Sequence, residues 1–256
     1  MSGLALRAAG SVVAPPGPGH RPDAVADGFL RDLLEPFGEK VDEELFRSGN
    51  HVTHKALTDL LLALPGVGDA RPGLVLVAHA LPDVLPFTVV APYLAHRLGV
   101  RATAFSVTQQ GLAAPFTALR IAAAHQRTGH TDEVVLAVLE QTTLPAPVSH
   151  PPAVDSAAVL VFAPGGGPRL VGVSSGAAAD LVRDRRPDDV VVLGPWVDLP
   201  DVPAHRVPPG SYCTSVWLAL AENWARWREG GGRVVLCDTD PRTGVSHAAV
   251  FDSTDR

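Results

Sequence analysis

The feature that most constrains this chain is a unit that occurs twice. A segment with helical spacing runs from about Leu112 to Arg127, and Gly129 and the apolar run EVVLAVL at 133–139 follow it. A second such segment runs from about Cys213 to Glu229, followed by glycines 230–232 and GRVVLCD at 232–238. Helix, glycine stop and buried strand thus recur about a hundred residues apart. A strand that is apolar without alternation has to be covered on both faces. Each copy therefore needs helices around a sheet, which predicts an α/β fold with duplicated halves.

The remaining segments fit that plan. LALRAAGSVV at 4–13 reads as a first strand, and helical spacing runs through Val25–Phe37 after the turn at 15–22. A helix from about Thr53 to Leu64 carries Leu57, Leu60, Leu61 and Leu64 as its apolar stripe. GLVLVAHA at 73–80 is a strand buried on both faces, and Pro86 opens a helix that ends at Leu98-Gly99. TAFSVT at 103–108 is a short strand. AAVLVFA at 157–163 and PRLVGVS at 168–174 flank Gly165-Gly166-Gly167, a hairpin turn signal. DVVVL at 189–193 and HAAVFD at 247–252 are the last strands. The division this gives is 1–152 and 153–256, packed as one unit.

Composition removes several classes of function. Apolar residues make up 46% and charged residues 19%, enough for a large core and too apolar for a disordered chain. The net charge is −6 with no cluster of Lys and Arg, so nucleic acid is not an expected partner. Cys213 and Cys237 cannot build a disulfide framework or a four-ligand zinc site. No run reaches the about 18 apolar residues of a membrane span, and no secretory leader is read at the N-terminus. A cytoplasmic location and no cofactor are the expectations.

Residues 87–140 resemble beta-ketoacyl-ACP synthase III and its thiolase-like relatives. The resemblance rests on Phe87, Leu98-Gly99, TAFSVTQQG, the helix over 112–127, Gly129 and EVVLAVLE. Thirteen residues separate Gly99 from position 112, and seventeen separate that position from Gly129. Asp155-Ser156-Ala157-Ala158 is similar to the family's Gly-Asp-Gly-Ala-Ala stretch, and SVWLALAE with GGRVVLCD to its second-half helix and strand. The resemblance implies a thiolase-like layered αβαβα fold. It also implies chemistry by a nucleophilic Cys at a helix N-terminus, a His, an Asn, and an oxyanion hole of backbone N–H groups.

Carried over residue by residue, that machinery is missing. The Cys position falls on Leu112, the His position on Gly194 in GPWV, and the Asn position on Gly210 or Ser211. The family's Gly-rich closing loop is replaced by Asp238 to Gly244. Gln109 and Gln110 precede the nucleophile position, unlike the chain-length-factor type, which carries Gln at that position itself. The chain is also shorter than family members, between the first strand and helix 53–64, and between the strands at 168–174 and 189–193 and just after.

Other candidates have plain readings beside the functional ones. Phe87 matches a family Phe that reaches into a partner's acyl pocket, or is one more core aromatic. Gln109 and Gln110 face a partner or satisfy a strand-end turn. His51, His54 and His79 would converge if helix 53–64 packs beside strand 73–80, but no ligand pattern accompanies them, so no metal is expected. His125 and His130 suit a helix C-terminus. Trp217, Trp224 and Trp227 form a packing stripe, and Cys237 is core. No Gly-x-Ser-x-Gly elbow is present, and Gly165–Gly167 precedes a strand, so it is no phosphate loop.

Two readings follow. In the first, the chain is a non-catalytic subunit of a heterodimer with an intact ketosynthase III-like protein in a biosynthetic pathway. An acyl carrier protein or CoA thioester would be handled on that partner. The interface would be built on strand 103–108 with Phe105 and Val107, and on Phe87, Gln109 and Gln110. In the second, it is an independent acyltransferase or thioesterase with relocated chemistry, Cys213 as nucleophile and His205 as base.

Overall fold

The computed structural model describes residues 4–85, 87–165 and 167–253. In chain order the elements are β1 (Leu6–Val13), α1 (Ala24–Leu34), α2 (Glu43–Ser48), α3 (His54–Leu62), β2 (Leu74–Ala78), α4 (Val90–Arg97), β3 (Thr103–Val107), α5 (Ala114–Arg127), β4 (Val134–Glu140) and β5 (Ser156–Phe162). Then come β6 (Arg169–Gly176), α6 (Ala178–Leu181), β7 (Val190–Leu193), β8 (His205–Arg206), α7 (Ser215–Glu229), β9 (Arg233–Thr239) and β10 (Ser246–Asp252).

The strands form two five-stranded sheets, ordered β1-β5-β4-β2-β3 and β6-β10-β9-β7-β8. The second order is the first with every strand advanced by five. The senses agree as well: β1–β5 and β4–β5 are antiparallel while β4–β2 and β2–β3 are parallel, and the same holds for β6–β10, β9–β10, β7–β9 and β7–β8. The duplicated α/β fold expected from the recurring unit is present.

Alternation along the first sheet explains its layers. Leu74, Leu76, Leu136, Val138 and Leu160 join Phe116 of α5 and Trp217 of α7 in one core. Their neighbours Val75, Val77, Val135, Ala137 and Val159 join Leu57 and Leu61 of α3 and Leu94 of α4 in another. The far face of the second sheet holds Val191, Leu193, Val235 and Cys237, with Leu181 of α6 packed against them. The order is helices, sheet, α5 with α7, sheet, and a thin outer cover. Trp217, Trp224 and Trp227 all lie in the central core. The outer cover is where the second repeat is reduced. α6 has four residues, and no helix lies between β7 and β8 where the first repeat has α4.

Three expectations needed correction. The strands around Gly165 do not form a hairpin. β5 is paired on both edges, by β1 and β4, so β6 has to join the other sheet, beside β10. The strand repeat therefore passes from one sheet to the other between β5 and β6. Gly166 lies outside the described residues. The helix after residue 86 starts only at Val90. Pro86 itself is outside the described residues. On α3 the buried face is His54, Leu57, Thr58 and Leu61, while Leu60 turns outward. Among the described residues no helix is long and apolar enough to cross a membrane.

Candidate functional site

The two central helices point their N-termini at the C-terminal ends of β4 and β9. Neither Ala113 nor Thr214, the residue before each helix, caps it with a side chain. For α7 the missing acceptor comes from Glu140, the last residue of β4. Its carboxylate accepts the N–H of Tyr212 at 2.9 Å, the N–H of Cys213 at 2.7 Å and the Thr214 hydroxyl at 2.7 Å. A negative group suits the positive end of a helix, and charge-assisted bonds of this kind are strong. Glu140 is nonetheless fully inside the protein, and burial raises its pKa against the pull of these donors.

Asp240, just after β9, sits toward the start of α5. It accepts the Tyr212 hydroxyl at 3.0 Å and the Arg242 N–H at 2.9 Å. The Tyr212 hydroxyl stands beside the backbone just before α5. Gly111 (φ 54°) lies against this group. A Cβ there would stand 2.6 Å from both the Tyr212 oxygen and the Asp240 carboxylate. Burial, then the neighbouring Asp240, raises the Tyr212 pKa, so its phenol keeps its proton.

Asp238 completes the cluster. It accepts the Ser215 hydroxyl and, at 2.9 Å, the N–H of Thr239. Burial first, reinforced by Glu140 and Asp240, pushes its pKa up to about 7. Its carboxyl lies where a side chain on Gly194 would have to go, since a Cβ at Gly194 would overlap it.

The positions expected from the sequence can now be placed. Leu112 is buried (1% exposed) in the central core, and Gly194 is buried beneath Asp238. Gly210 has a backbone only glycine adopts freely (φ 137°), and Ser211 is buried beside it. The structure does not bring Cys213 and His205 together. The Cys213 thiol is fully buried at the start of α7, and burial, then Glu140, raises its pKa well above the ordinary value. His205 lies exposed on β8, its ring edge-on to Trp227 at 5.5 Å. Trp227 is twelve residues beyond Ser215, about 18 Å along α7. A protonated thiol and a distant imidazole do not make a nucleophile–base pair. Cys237 is buried in β9, its thiol pushed up to about 12 mainly by burial.

The expected interface residues divide. Phe87 is 56% exposed and rests edge-on against Phe29 of α1 at 5.5 Å, so it is not a core aromatic. Phe105 is 37% exposed on β3, the outer strand of its sheet. Val107 is buried in the central core and presents nothing to a partner. Gln109 and Gln110 are exposed. Gln109 takes a left-handed backbone (φ 62°), and Gln110 accepts the Thr117 hydroxyl at 2.6 Å. The histidines pair separately: His54 with His79 at 4.8 Å, and His51 with His20 at 5.3 Å. Among the described residues no group of three or more His, Cys, Asp or Glu is arranged to hold a metal ion.

Sequence reasoning did not single out Tyr212, Asp238 or Asp240, and it used Glu140 only as a family landmark. The available signal was an acid at or just beyond the end of each recurring buried strand, Glu140 and Asp240, opposite the helix starts.

No protein-family model matches this chain, and no curated protein matches it in sequence. Solved structures do match. 3-Oxoacyl-(acyl carrier protein) synthase III, FabH, from Pseudomonas aeruginosa PAO1 is 18% identical, with 98% of each chain covered and a TM-score of 0.65. A variant of OleA from Xanthomonas campestris is 16% identical over 98% of each chain, TM-score 0.65. AbyA1, a tetronic acid condensing enzyme, is 18% identical over 97% of this chain and 99% of that one, TM-score 0.66. The fold is the thiolase-like fold of these proteins.

Proposed function

We propose that this chain is a non-catalytic subunit that pairs with an intact ketosynthase III-like condensing enzyme and supports acyl thioester condensation on that partner. The observation that carries the reading is the Tyr212 phenol, held by Asp240 and packed against Gly111 at the start of α5. The resemblance implies an oxyanion hole of backbone N–H groups near the nucleophile position, and here the Tyr212 side chain packs beside that stretch. Leu112 offers no nucleophile, and Asp238 fills the space an imidazole at Gly194 would need. Condensation builds negative charge on an oxygen, which free N–H and O–H donors stabilise, and here Glu140 and Asp238 already take the donors of Tyr212, Cys213, Thr214 and Ser215.

The surface supports pairing. β3 leaves one edge without a strand among the described residues, and Phe105 stands on it. Phe87, Val89, Phe29 and Val25 are exposed apolar residues. Unpaired edges and apolar patches of this kind mark interaction surfaces.

The test is to co-express this chain with a ketosynthase III-like protein from the same genome and weigh what co-purifies. A one-to-one complex whose condensing activity exceeds that of the partner alone is expected. A lone chain, stable at micromolar concentration beside the partner, overturns the reading.

A further inference from the structure

Away from the buried cluster, α5 and β6 enclose an open groove of about 360 Å³. On α5 it is lined by Arg120, Ala123 and Arg127, and on β6 by Leu170, Val171 and Val173. Positions 120, 123 and 127 share one face of a helix. Ala123 makes the depression between two long basic side chains whose backbones stand about 10 Å apart.

Both guanidiniums have donors to spare. Arg120 gives one hydrogen bond, to the Ser175 hydroxyl at 2.7 Å, and Ser175 is held in turn by His247 at 2.8 Å. That bond fixes Arg120 at the rim. Arg127 has no side-chain partner among the described residues. Two cations without a carboxylate on one groove stand out in a chain of net charge −6. The β6 side is aliphatic, with Val171 53% exposed. The volume lies within the range of small-molecule sites.

We propose that this groove binds a small organic anion, a phosphate monoester or carboxylate on a short carbon chain. Arg120 and Arg127 hold the anionic group and the β6 side chains take the carbon chain. Guanidinium forks match both oxyanions. The site is separate from the Tyr212 cluster, and its occupancy does not depend on whether that cluster is inactive.

The test is titration of the full chain with hexyl phosphate, hexanoate, inorganic phosphate and hexanol, followed by amide NMR shifts. Hexyl phosphate or hexanoate is expected to shift the Ala123 and Gly172 amides, binding at least about tenfold more tightly than inorganic phosphate or hexanol. Arg127→Gln and Arg120→Gln are each expected to weaken binding about fivefold or more, and Val171→Asp to abolish it. Arg127 is exposed, so an unchanged unfolding midpoint certifies that variant as folded. No shift at those amides up to about 10 mM, or unchanged affinity in both arginine variants, overturns the proposal.

Discussion

Glu140 and Asp240 stand at matching places in the two repeats, Glu140 closing β4 and Asp240 directly following β9, and each faces the central helix of the other repeat. Glu140 caps α7, and Asp240 with the Tyr212 hydroxyl packs against Gly111 at the start of α5. The exchange ties the halves together by buried polar bonds, and it also fills the space between the two helix starts.

Removing the Glu140 acceptor should therefore be costly. Glu140→Ala leaves the N–H groups of Tyr212 and Cys213 and the Thr214 hydroxyl without their partner, and a loss of about 3 kcal/mol or more is expected from urea unfolding. Glu140→Gln keeps an acceptor of the same shape and should lose less.

Tyr212 separates packing from hydrogen bonding. Tyr212→Phe keeps the ring and strips Asp240 of its phenol donor, at an expected cost of about 1–3 kcal/mol. Tyr212→Ala adds a cavity and should cost about 3–5 kcal/mol. If the pocket merely lacks space, Tyr212→Ala would acquire affinity for acyl thioesters. With three buried acids around it, none is expected by calorimetry.

On the proposed reading, placing the Cys and His implied by the resemblance should give no activity. Leu112→Cys alone gives no condensation, because Gly194 supplies no imidazole. Gly194→His in the same chain should misfold, since Asp238 occupies its place, and Gly194→Ala alone should lower the thermal midpoint clearly. Condensing activity from the Leu112→Cys single variant would show that another residue does the work assigned to His.

Asp238 gives stability a pH dependence of defined sign. Its carboxyl has a folded pKa of about 7, above the ordinary 3.8. The folded state thus holds a proton that the unfolded state releases, so its stabilising share is full below about pH 4. That share is lost as pH rises through about 7. The shift corresponds to at most about 4 kcal/mol. Asp83, raised to about 6 mainly by burial, acts in the same direction. His54, lowered to about 3 by burial and by His79, acts oppositely between about pH 3 and 6.5. Asp238→Asn should be destabilised less, relative to the parent, at pH 7.5 than at pH 5 in urea unfolding. An equal difference at both pH values would show that Asp238 does not titrate between them.

Pairing can be probed on β3. Phe105→Asp with Ser106→Lys alters an exposed edge and should leave circular dichroism unchanged while abolishing co-purification with a ketosynthase partner. Recovery of an intact complex would move the interface off β3.

Much of the architecture is legible in the sequence because its strands are covered on both faces. β2, β4 and β5 are buried at every position, so their apolar runs stand out without any partner being known. What misleads is information that is not local. The glycines near 165 mark a turn whether or not the flanking strands pair, and only the double pairing of β5 decides that they do not. β8 spans two residues and carries no pattern of its own. At the site, Leu112 and Gly194 are legible as the residues standing where the resemblance implies a nucleophile and a base. Their surroundings are not, because Tyr212 and Asp240 meet Gly111 only once both repeats are packed.

The pairing of β1 bears on how the chain is made. β1 takes its strand partner from β5, and Ala5 bridges to Arg169 at the start of β6. Once β1 has left the ribosome it must therefore wait for some 150 further residues, roughly 8–30 s of synthesis. Until then its backbone is an open template for other chains. The yield of this protein in cells should thus hinge on what shelters residues 6–13 during translation.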